Sequence, residues 1–102
     1  MIEIEGHLFD WDKDKNISNI RKHGISFKIA ATSFFDPDSI TVRDWKHSNE
    51  EDRFVHIGFS KNYKLLTVSH YYRDEGNVIR IISARKATAT EQHQYKEARN
   101  ES

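Results

Sequence analysis

The sequence predicts an α+β domain in which an antiparallel β-meander packs against N-terminal helices and a C-terminal helix. The chain has 102 residues, and domains usually hold roughly 100–200, so residues 1–102 are expected to form a single domain. Between residues 53 and 84 lie three segments rich in β-branched and aromatic residues, joined by short polar connections. Helix-capping residues precede and follow this region.

The first element is a predicted strand over residues 1–9, where apolar and polar side chains alternate at the start. A helix is predicted over residues 13–23. Asp12 is a good N-cap, and Gly24 supplies the left-handed residue that ends many helices. Three basic residues lie in the last turn of this helix, where they favour the negative end of the helix dipole.

A second, shorter helix is predicted over residues 27–34, because Ser26 can cap its start. Pro37 ends it, since the residue before a proline disfavours helix. Residues 39–43 are β-branched enough for a strand, and residues 44–52 form a polar loop.

The meander follows, with strands predicted over residues 53–59, 64–73 and 78–84. Their connections are short enough for hairpins. Thr88 and Glu91 then form a capping box, which opens a C-terminal helix that extends to about residue 98.

Composition excludes several classes of site. The chain has no cysteine, which excludes disulfides, cysteine-ligated zinc, iron–sulfur clusters and thiol catalysis. No apolar run approaches the roughly 18 residues that a membrane span needs. The N-terminal residues resemble neither a signal peptide nor a transit peptide. We therefore expect a cytoplasmic protein without a membrane partner.

Charge is balanced overall but not along the chain. Sixteen basic and sixteen acidic residues cancel, whereas residues 1–51 carry a net charge of −3 and residues 52–102 a net charge of +3. A difference of this size can mark only a solvated face. It can also mark a small polyanion site on a neutral body, since no global field steers the protein toward nucleic acid.

Arg80 is the most informative basic residue of the second half. Regular alternation places it on one face of the last strand with Val78, Ile82 and Ala84, and the other face is also mostly apolar. A charge in such surroundings is expensive unless it is paired. Either Arg80 forms a bridge with a carboxylate, or its guanidinium lies at the floor of a phosphate-binding groove.

No cofactor or metal is expected. The six histidines are not spaced as H-E-x-x-H or H-x-H, which gives a zinc site little support. Asp38, Asp44 and Lys46 imitate the two carboxylates and lysine of metal-dependent nucleases. Only five residues separate Asp38 from Asp44, too few for a hairpin that would bring two strands together.

Several segments, taken in order, resemble the BrnT family of toxins, and the resemblance covers roughly residues 8–95. The segments are Phe9-Asp10-Trp11-Asp12, Lys22-His23-Gly24-Ile25-Ser26-Phe27, Glu51-Asp52-Arg53 and Arg80-Ile81-Ile82-Ser83-Ala84-Arg85-Lys86-Ala87-Thr88, with Glu91 and Tyr95 after them. The resemblance implies a bacterial type II toxin–antitoxin system and a ribonuclease toxin of RelE-like fold that suppresses translation. It also implies an antitoxin with a ribbon-helix-helix DNA-binding domain, through which alone the complex would contact operator DNA.

A metal-independent ribonuclease needs cations that stabilise the charge of the reacting phosphate. We assign Arg80 and Arg85 to this role with Arg53 as support, and Lys86 to substrate binding. The reaction also needs a base for the 2′-hydroxyl proton and an acid for the leaving oxygen. His23 and Glu51 are the candidate bases, and the candidate acids and substrate contacts are Lys22, His47 and Tyr95. The rival interpretation is a non-catalytic protein-binding module whose arginines serve only partner binding.

Overall fold

A computed structural model describes residues 1–100 and shows a six-stranded mixed sheet with helices on both of its faces. The helices are α1 (Lys13–His23), α2 (Phe27–Thr32) and α3 (Ala89–Asn100). The strands are β1 (Ile2–Ile4), β2 (His7–Trp11), β3 (Ile40–Arg43), β4 (Arg53–Phe59), β5 (Leu65–Arg73) and β6 (Val78–Lys86). Their order in the sheet is β1-β2-β6-β5-β4-β3. The predicted antiparallel meander is therefore present as the adjacent strands β4, β5 and β6. The predicted α+β fold class is confirmed.

Helix α1 has the predicted bounds and the predicted caps. The Asp12 side chain accepts a hydrogen bond from the Lys15 amide at 2.9 Å. At the other end, Gly24 has a φ of 68° and its amide donates to the Ile20 carbonyl at 2.8 Å. Local side-chain chemistry therefore specifies this element before any tertiary contact forms.

The N-terminal prediction of one strand over residues 1–9 is wrong, because the chain forms a hairpin there. Glu5 and Gly6 both have positive φ, at 48° and 83°, and they turn the chain between β1 and β2. Strand β2 then pairs in parallel with β6, with Asp10 opposite Arg80. The long-range pairing with β6 extends β2 to Trp11, two residues beyond the predicted end.

Smaller departures concern short helical turns. Helix α2 ends at Thr32 and a 3-10 turn over Ser33–Phe35 follows, where one helix was predicted. The predicted polar loop contains a 3-10 turn at Trp45–His47. Among residues 1–100, no helix is both long enough and apolar enough to cross a membrane.

One face of the sheet, which we call the helix-covered face, carries the main core. Sheet residues such as Phe9, Leu66 and Ile81 are at most 1% exposed and pack in one cluster with Phe27 and Ala30 of α2. Helix α1 is tied to the same region by Asn19, whose amide donates to the Ala84 carbonyl at 2.8 Å. Helix α2 therefore lies on this face, and α1 is bonded to β6.

A β-bulge in β6 changes which residues share a face. Ser69 pairs with Ser83 while the next residue, His70, pairs with Ile81, so Ile82 is an extra residue in the ladder. The predicted alternation, which put Ile81 and Ala84 on opposite faces, is therefore wrong, and both lie in the main core.

The bulge also moves two arginines onto the same face. Arg80 pairs with Tyr71 and Arg85 pairs with Thr67, and these β5 partners are four residues apart in a regular strand. We call this second side of the sheet the arginine face. Both faces of β6 were predicted to be covered, but α3 covers only the end of the arginine face that carries Thr67 and Phe59.

Candidate active site

Four residues on neighbouring strands form a line across the arginine face. Arg53 of β4 lies opposite Tyr71 of β5, which lies opposite Arg80 of β6, which lies opposite Asp10 of β2. We call this line the arginine row. The structure thus places together Arg53 and Arg80, two of the residues that the sequence analysis selected.

Asp10 binds two guanidinium groups. Its Oδ2 accepts a hydrogen bond from Arg80 Nη1 at 2.8 Å and another from Arg73 Nη1 at 2.6 Å. Burial opposes ionisation, but the hydrogen bond and positive charge of Arg80 outweigh it and lower the pKa of Asp10. The carboxylate is therefore ionised at neutral pH, and two arginines around one aspartate leave a net charge of about +1.

The carboxylate bridge that the sequence analysis offered for Arg80 is present, and its partner is Asp10. The bridge remains accessible to solvent, because the side chains of Arg80 and Asp10 are 25% and 17% exposed. The predicted bridge and the predicted phosphate contact are therefore compatible. A guanidinium has five N–H donors, and Asp10 engages one of those of Arg80.

At the other end of the row, Arg53 opens β4 beside an acidic loop. Arg53 Nε donates to Glu51 Oε1 at 3.0 Å, and both side chains are about one third exposed. His47 lines the same cavity of about 320 Å³ as Glu51 and Arg53, and its Nδ1 lies 2.8 Å from Asp44 Oδ2. Glu51, His47 and Arg53 therefore converge on one open depression.

Tyr71 and Asp10 were missed by the sequence analysis. Alternation along the predicted strand over residues 64–73 separates Thr67, Ser69 and Tyr71 from the intervening Val68 and His70, so these three side chains were predictable as neighbours on one face. Asp10 was not readable in this way, because its place beside Arg80 depends on the parallel pairing of β2 with β6.

Arg85 lies on the same face but in a different setting, which we call the capping cluster (Arg85, Glu91, Thr67 and Thr88). Nη1 and Nη2 of Arg85 donate to the two carboxylate oxygens of Glu91 at 2.7 and 3.0 Å. Glu91 Oε1 also accepts from the Thr67 hydroxyl at 2.8 Å and the Thr88 amide at 2.9 Å. The predicted capping box is thus built around the same carboxylate.

The electrostatics of the capping cluster are strong. The hydrogen bonds from Arg85 lower the pKa of Glu91 to about 2, against the opposing effect of burial. The pair holds one cation and one anion in bidentate geometry. The Arg85 side chain is 43% exposed, so a phosphate could reach it, but its charge is already neutralised by Glu91.

Tyr95, a predicted acid, has a structural contact instead of an open position. Its side chain is 3% exposed and its hydroxyl donates to Asp36 Oδ2 at 2.7 Å. Burial and this hydrogen bond raise the pKa of Tyr95. The contact fastens α3 to the segment before β3.

The remaining predicted residues lie away from the row. Lys22 and His23 lie in the last turn of α1, a helix that Asn19 ties to Ala84, four residues beyond Arg80 on β6. His23 and Lys86 line one cavity of about 320 Å³ at the end of β6. The structure therefore brings His23 close to Lys86 but not to the arginine row.

The metal-nuclease pattern is not assembled. Asp38 and Asp44 lie beyond opposite ends of β3, whose four residues at about 3.3 Å each hold them more than roughly 10 Å apart. Asp38 faces Arg99 at 3.5 Å, whereas Asp44 faces His47. Over residues 1–100, no three His, Asp or Glu side chains are grouped so as to hold a metal ion.

The family described as the ribonuclease toxin BrnT of type II toxin–antitoxin systems matches residues 11–91. The chain belongs to the BrnT family. The family resemblance stated from the sequence is thereby confirmed, and the match includes the 53–91 region that carries Arg53, Tyr71, Arg80 and the capping cluster.

The fold of this BrnT-family chain is also found in a solved structure. The crystal structure of the Brucella abortus ribonuclease toxin BrnT superposes with a TM-score of 0.61 at 21% sequence identity, covering 80% of this chain and 97% of that one. At this identity the likeness shows the fold. No curated protein sequence matches the chain.

Proposed function

We propose that this BrnT-family chain is an endoribonuclease toxin that cleaves RNA at the arginine row without a metal ion. The observation that carries the proposal is the sharing of Asp10 between Arg80 and Arg73, which leaves a surplus cation on an open part of the sheet. A shallow, positively charged sheet face suits a phosphodiester in a flexible single strand better than it suits a small molecule, which prefers a deep apolar pocket.

In the proposed reaction, the RNA 2′-oxygen attacks the adjacent phosphorus while the bond from phosphorus to the 5′-oxygen breaks. A base takes the 2′-hydroxyl proton, and an acid gives a proton to the departing 5′-oxygen. The products are a 2′,3′-cyclic phosphate and a free 5′-hydroxyl. Negative charge builds on the phosphorane oxygens, which is where fixed guanidinium groups contribute most.

The row supplies a candidate for each role. Arg80 and Arg53 lie on either side of Tyr71 and can hold the phosphate from two sides. Glu51 is the nearest base candidate, since it is already bound to Arg53 at 3.0 Å. His47, in the same depression, can donate the proton. Tyr71 is a second candidate donor, because the strand register places it between the two arginines of the row.

The other assigned residues keep less direct roles in this proposal. Arg85 acts through the capping cluster, which orders the start of α3. Tyr95 acts through its contact with Asp36. Lys22, His23 and Lys86 lie beyond the row and can contact only flanking parts of a longer RNA.

One observation favours the rival function, a non-catalytic protein-binding module. Each of the three assigned arginines has a carboxylate partner, namely Glu51, Asp10 and Glu91. Such pairs can be exchanged for the acidic groups of a protein partner. In that case, reversing the charge of Arg80 abolishes complex formation, and no RNA cleavage is seen at any concentration.

The proposal is tested by incubating the purified, partner-free protein with RNA in excess chelator. We expect cleavage to persist and to yield cyclic phosphate ends. Such 3′ ends resist labelling after phosphatase treatment alone and accept label only when the cyclic phosphate is first opened and then removed. Activity that disappears with chelator and returns with magnesium would contradict the metal-independent mechanism.

We further propose that a cognate antitoxin, with a ribbon-helix-helix DNA-binding domain, neutralises the toxin in the cytoplasm and alone contacts operator DNA. The toxin–antitoxin family supports the existence of an antitoxin partner. Covering the basic half of the chain would block RNA access. Co-expression of the two proteins should give a complex that cleaves no RNA until the antitoxin is removed, and a fully active complex would show that the antitoxin binds elsewhere.

A further inference from the structure

A second basic depression lies at the opposite end of the strands from the arginine row. It has a volume of about 470 Å³ and lies between α3 and the ends of β4, β5 and β6. Phe59, Leu65 and Tyr95 form its apolar part. We call it the lysine groove, because Lys64 and Lys86 reach it from the sheet.

The lysine groove is strongly positive for a protein with no net charge. Four of its lining residues are basic and none is acidic; the basic ones are Lys64, Lys86, Lys96 and Arg99. Arg99 faces Asp38 at 3.5 Å and lies over the Tyr95 ring. Within residues 1–100, the three lysines form no ion pair. No carboxylate lines the groove, so the positive charge of its lining is not balanced within the groove.

Phe59 gives the groove a stacking surface. Its side chain stays 40% exposed although one edge packs against Tyr95, with the ring centroids 5.5 Å apart and nearly perpendicular. This packing holds the Phe59 ring in place while leaving part of it open. A fixed, exposed ring among lysines is the arrangement that binds single-stranded nucleic acid, with a base on the ring and phosphates on the cations.

We propose that the lysine groove binds the flanking nucleotides of single-stranded RNA, at a site separate from the arginine row. This inference rests on the proposed ribonuclease function and extends it to substrate length. Tyr71 and Leu65 are six residues apart on β5, which is about 20 Å of extended strand. An RNA of a few nucleotides at the row cannot reach the groove, whereas a longer strand can occupy both.

An acidic peptide is the competing occupant. The groove favours RNA because four of its nine lining residues are basic, whereas a docked amphipathic segment needs a continuous apolar stripe. Lysines in the open bind phosphate as point charges and do not require one fixed geometry. Each nucleotide of an RNA strand supplies one phosphate and one aromatic base.

The experiment measures binding of labelled 2′-O-methyl uridine oligonucleotides to the full chain by fluorescence anisotropy. The 2′-O-methyl group prevents attack on phosphorus, so binding is read whether or not the protein is a ribonuclease. The double variant Lys64→Glu/Lys96→Glu should weaken binding of a 12-mer by at least about tenfold. It should also reduce the slope of log affinity against log salt concentration by about 1.4, which corresponds to the loss of two phosphate contacts. Binding of a 3-mer should change less than twofold.

The matched control is Lys15→Glu/Lys28→Glu, which makes the same charge change on α1 and α2. It should leave 12-mer affinity within about twofold. For stacking, Phe59→Leu should weaken the 12-mer about tenfold, whereas Phe59→Trp should retain its affinity.

Equal losses for the 3-mer and the 12-mer, or equal effects of the groove and control variants, would overturn the inference. So would an unchanged 12-mer affinity together with lost binding of a labelled Glu–Leu repeat peptide, which would assign the groove to a protein partner. Absence of cleavage by the wild-type chain contradicts the proposed function alone, because oligonucleotide binding is measured independently.

Discussion

Arg80 and Arg85 lie on one strand and one face, yet the balance of positive and negative charge around them differs. Arg80 shares Asp10 with Arg73, so two cations surround one anion. Arg85 has Glu91 to itself, in bidentate contact, and Glu91 also caps α3. The arginine row therefore carries a surplus positive charge, whereas the capping cluster is neutral.

Pairing to a carboxylate therefore does not decide the role of an arginine. What matters is the ratio of cations to anions and the number of other bonds that the anion makes. Removing Arg80 leaves Asp10 still bound to Arg73. Removing the Glu91 carboxylate leaves Arg85 without its partner and the Thr88 amide without its acceptor, although Thr88 Oγ1 still accepts from the amide of residue 91. Opposite responses to mutation are therefore predicted at the two places.

The largest expected effect is on cleavage by Arg80→Ala. Loss of one preorganised charge stabiliser should lower the cleavage rate by about 100-fold. The melting temperature should fall only slightly, because Asp10 keeps Arg73 as its partner. Single-turnover cleavage of RNA, measured beside a thermal melt by circular dichroism, reads both quantities. If Arg80→Ala instead unfolds the protein, Arg80 is chiefly a structural residue.

The capping cluster should respond in stability. Glu91→Gln removes the charge-assisted bonds to Arg85 and weakens the helix cap, and it should lower the free energy of unfolding by about 2 kcal/mol. Cleavage per folded molecule should stay within about threefold of wild type. Urea denaturation followed by cleavage under fully native conditions tests this, and a 100-fold loss of cleavage without a stability change would place the capping cluster in the active site.

Acidification should remove the difference in the free energy of unfolding between wild type and Glu91→Gln. The pKa of Glu91 is lowered to about 2 in the folded protein, so its stabilisation is fully present above the unfolded pKa near 4.3 and is lost as the pH falls toward 2. The stability gap should therefore stay constant from pH 7 to about 5 and narrow from about 4.5 to 3. Urea denaturation of both proteins at each pH measures it, and a constant gap at pH 3 would mean that ionised Glu91 contributes little.

A separate acid effect should be common to both proteins. Burial lowers the pKa of His70 to about 4, and the unfolded pKa is near 6.5, so both proteins lose stability as the pH falls through this range. Because His70 is unchanged in Glu91→Gln, its effect cancels in the difference between them.

The smallest expected effect is from Arg73→Ala, the matched control for Arg80→Ala. Arg73 binds the same oxygen of Asp10, but its side chain is 52% exposed. An exposed pair of this kind contributes less than about 1 kcal/mol. Cleavage should fall about fivefold in the same single-turnover assay, because Asp10 then neutralises Arg80 and removes the surplus charge, while Arg80 keeps its position. A loss equal to that of Arg80→Ala would mean that the surplus charge, not the position of Arg80, determines activity.

Much of this protein was predictable because the relevant signals are local. The caps at Asp12 and Gly24 and the capping box at Thr88 and Glu91 act within one helical turn, and each forms as predicted. Strand β4 has its predicted bounds. The family was recognised in the same way, from short segments whose order along the chain is specific.

Of the candidate site, Arg80, Arg53 and Glu51 were selected from residue type and position, but their neighbours were not predicted. Only the tertiary structure decided that Asp10 meets Arg80, because parallel pairing of β2 with β6 joins residues 70 positions apart. The bulge at Ile82 likewise brought Arg80 and Arg85 to one face. Strand propensity and alternation describe one strand at a time, whereas register and bulges arise from packing between strands, which no local pattern encodes.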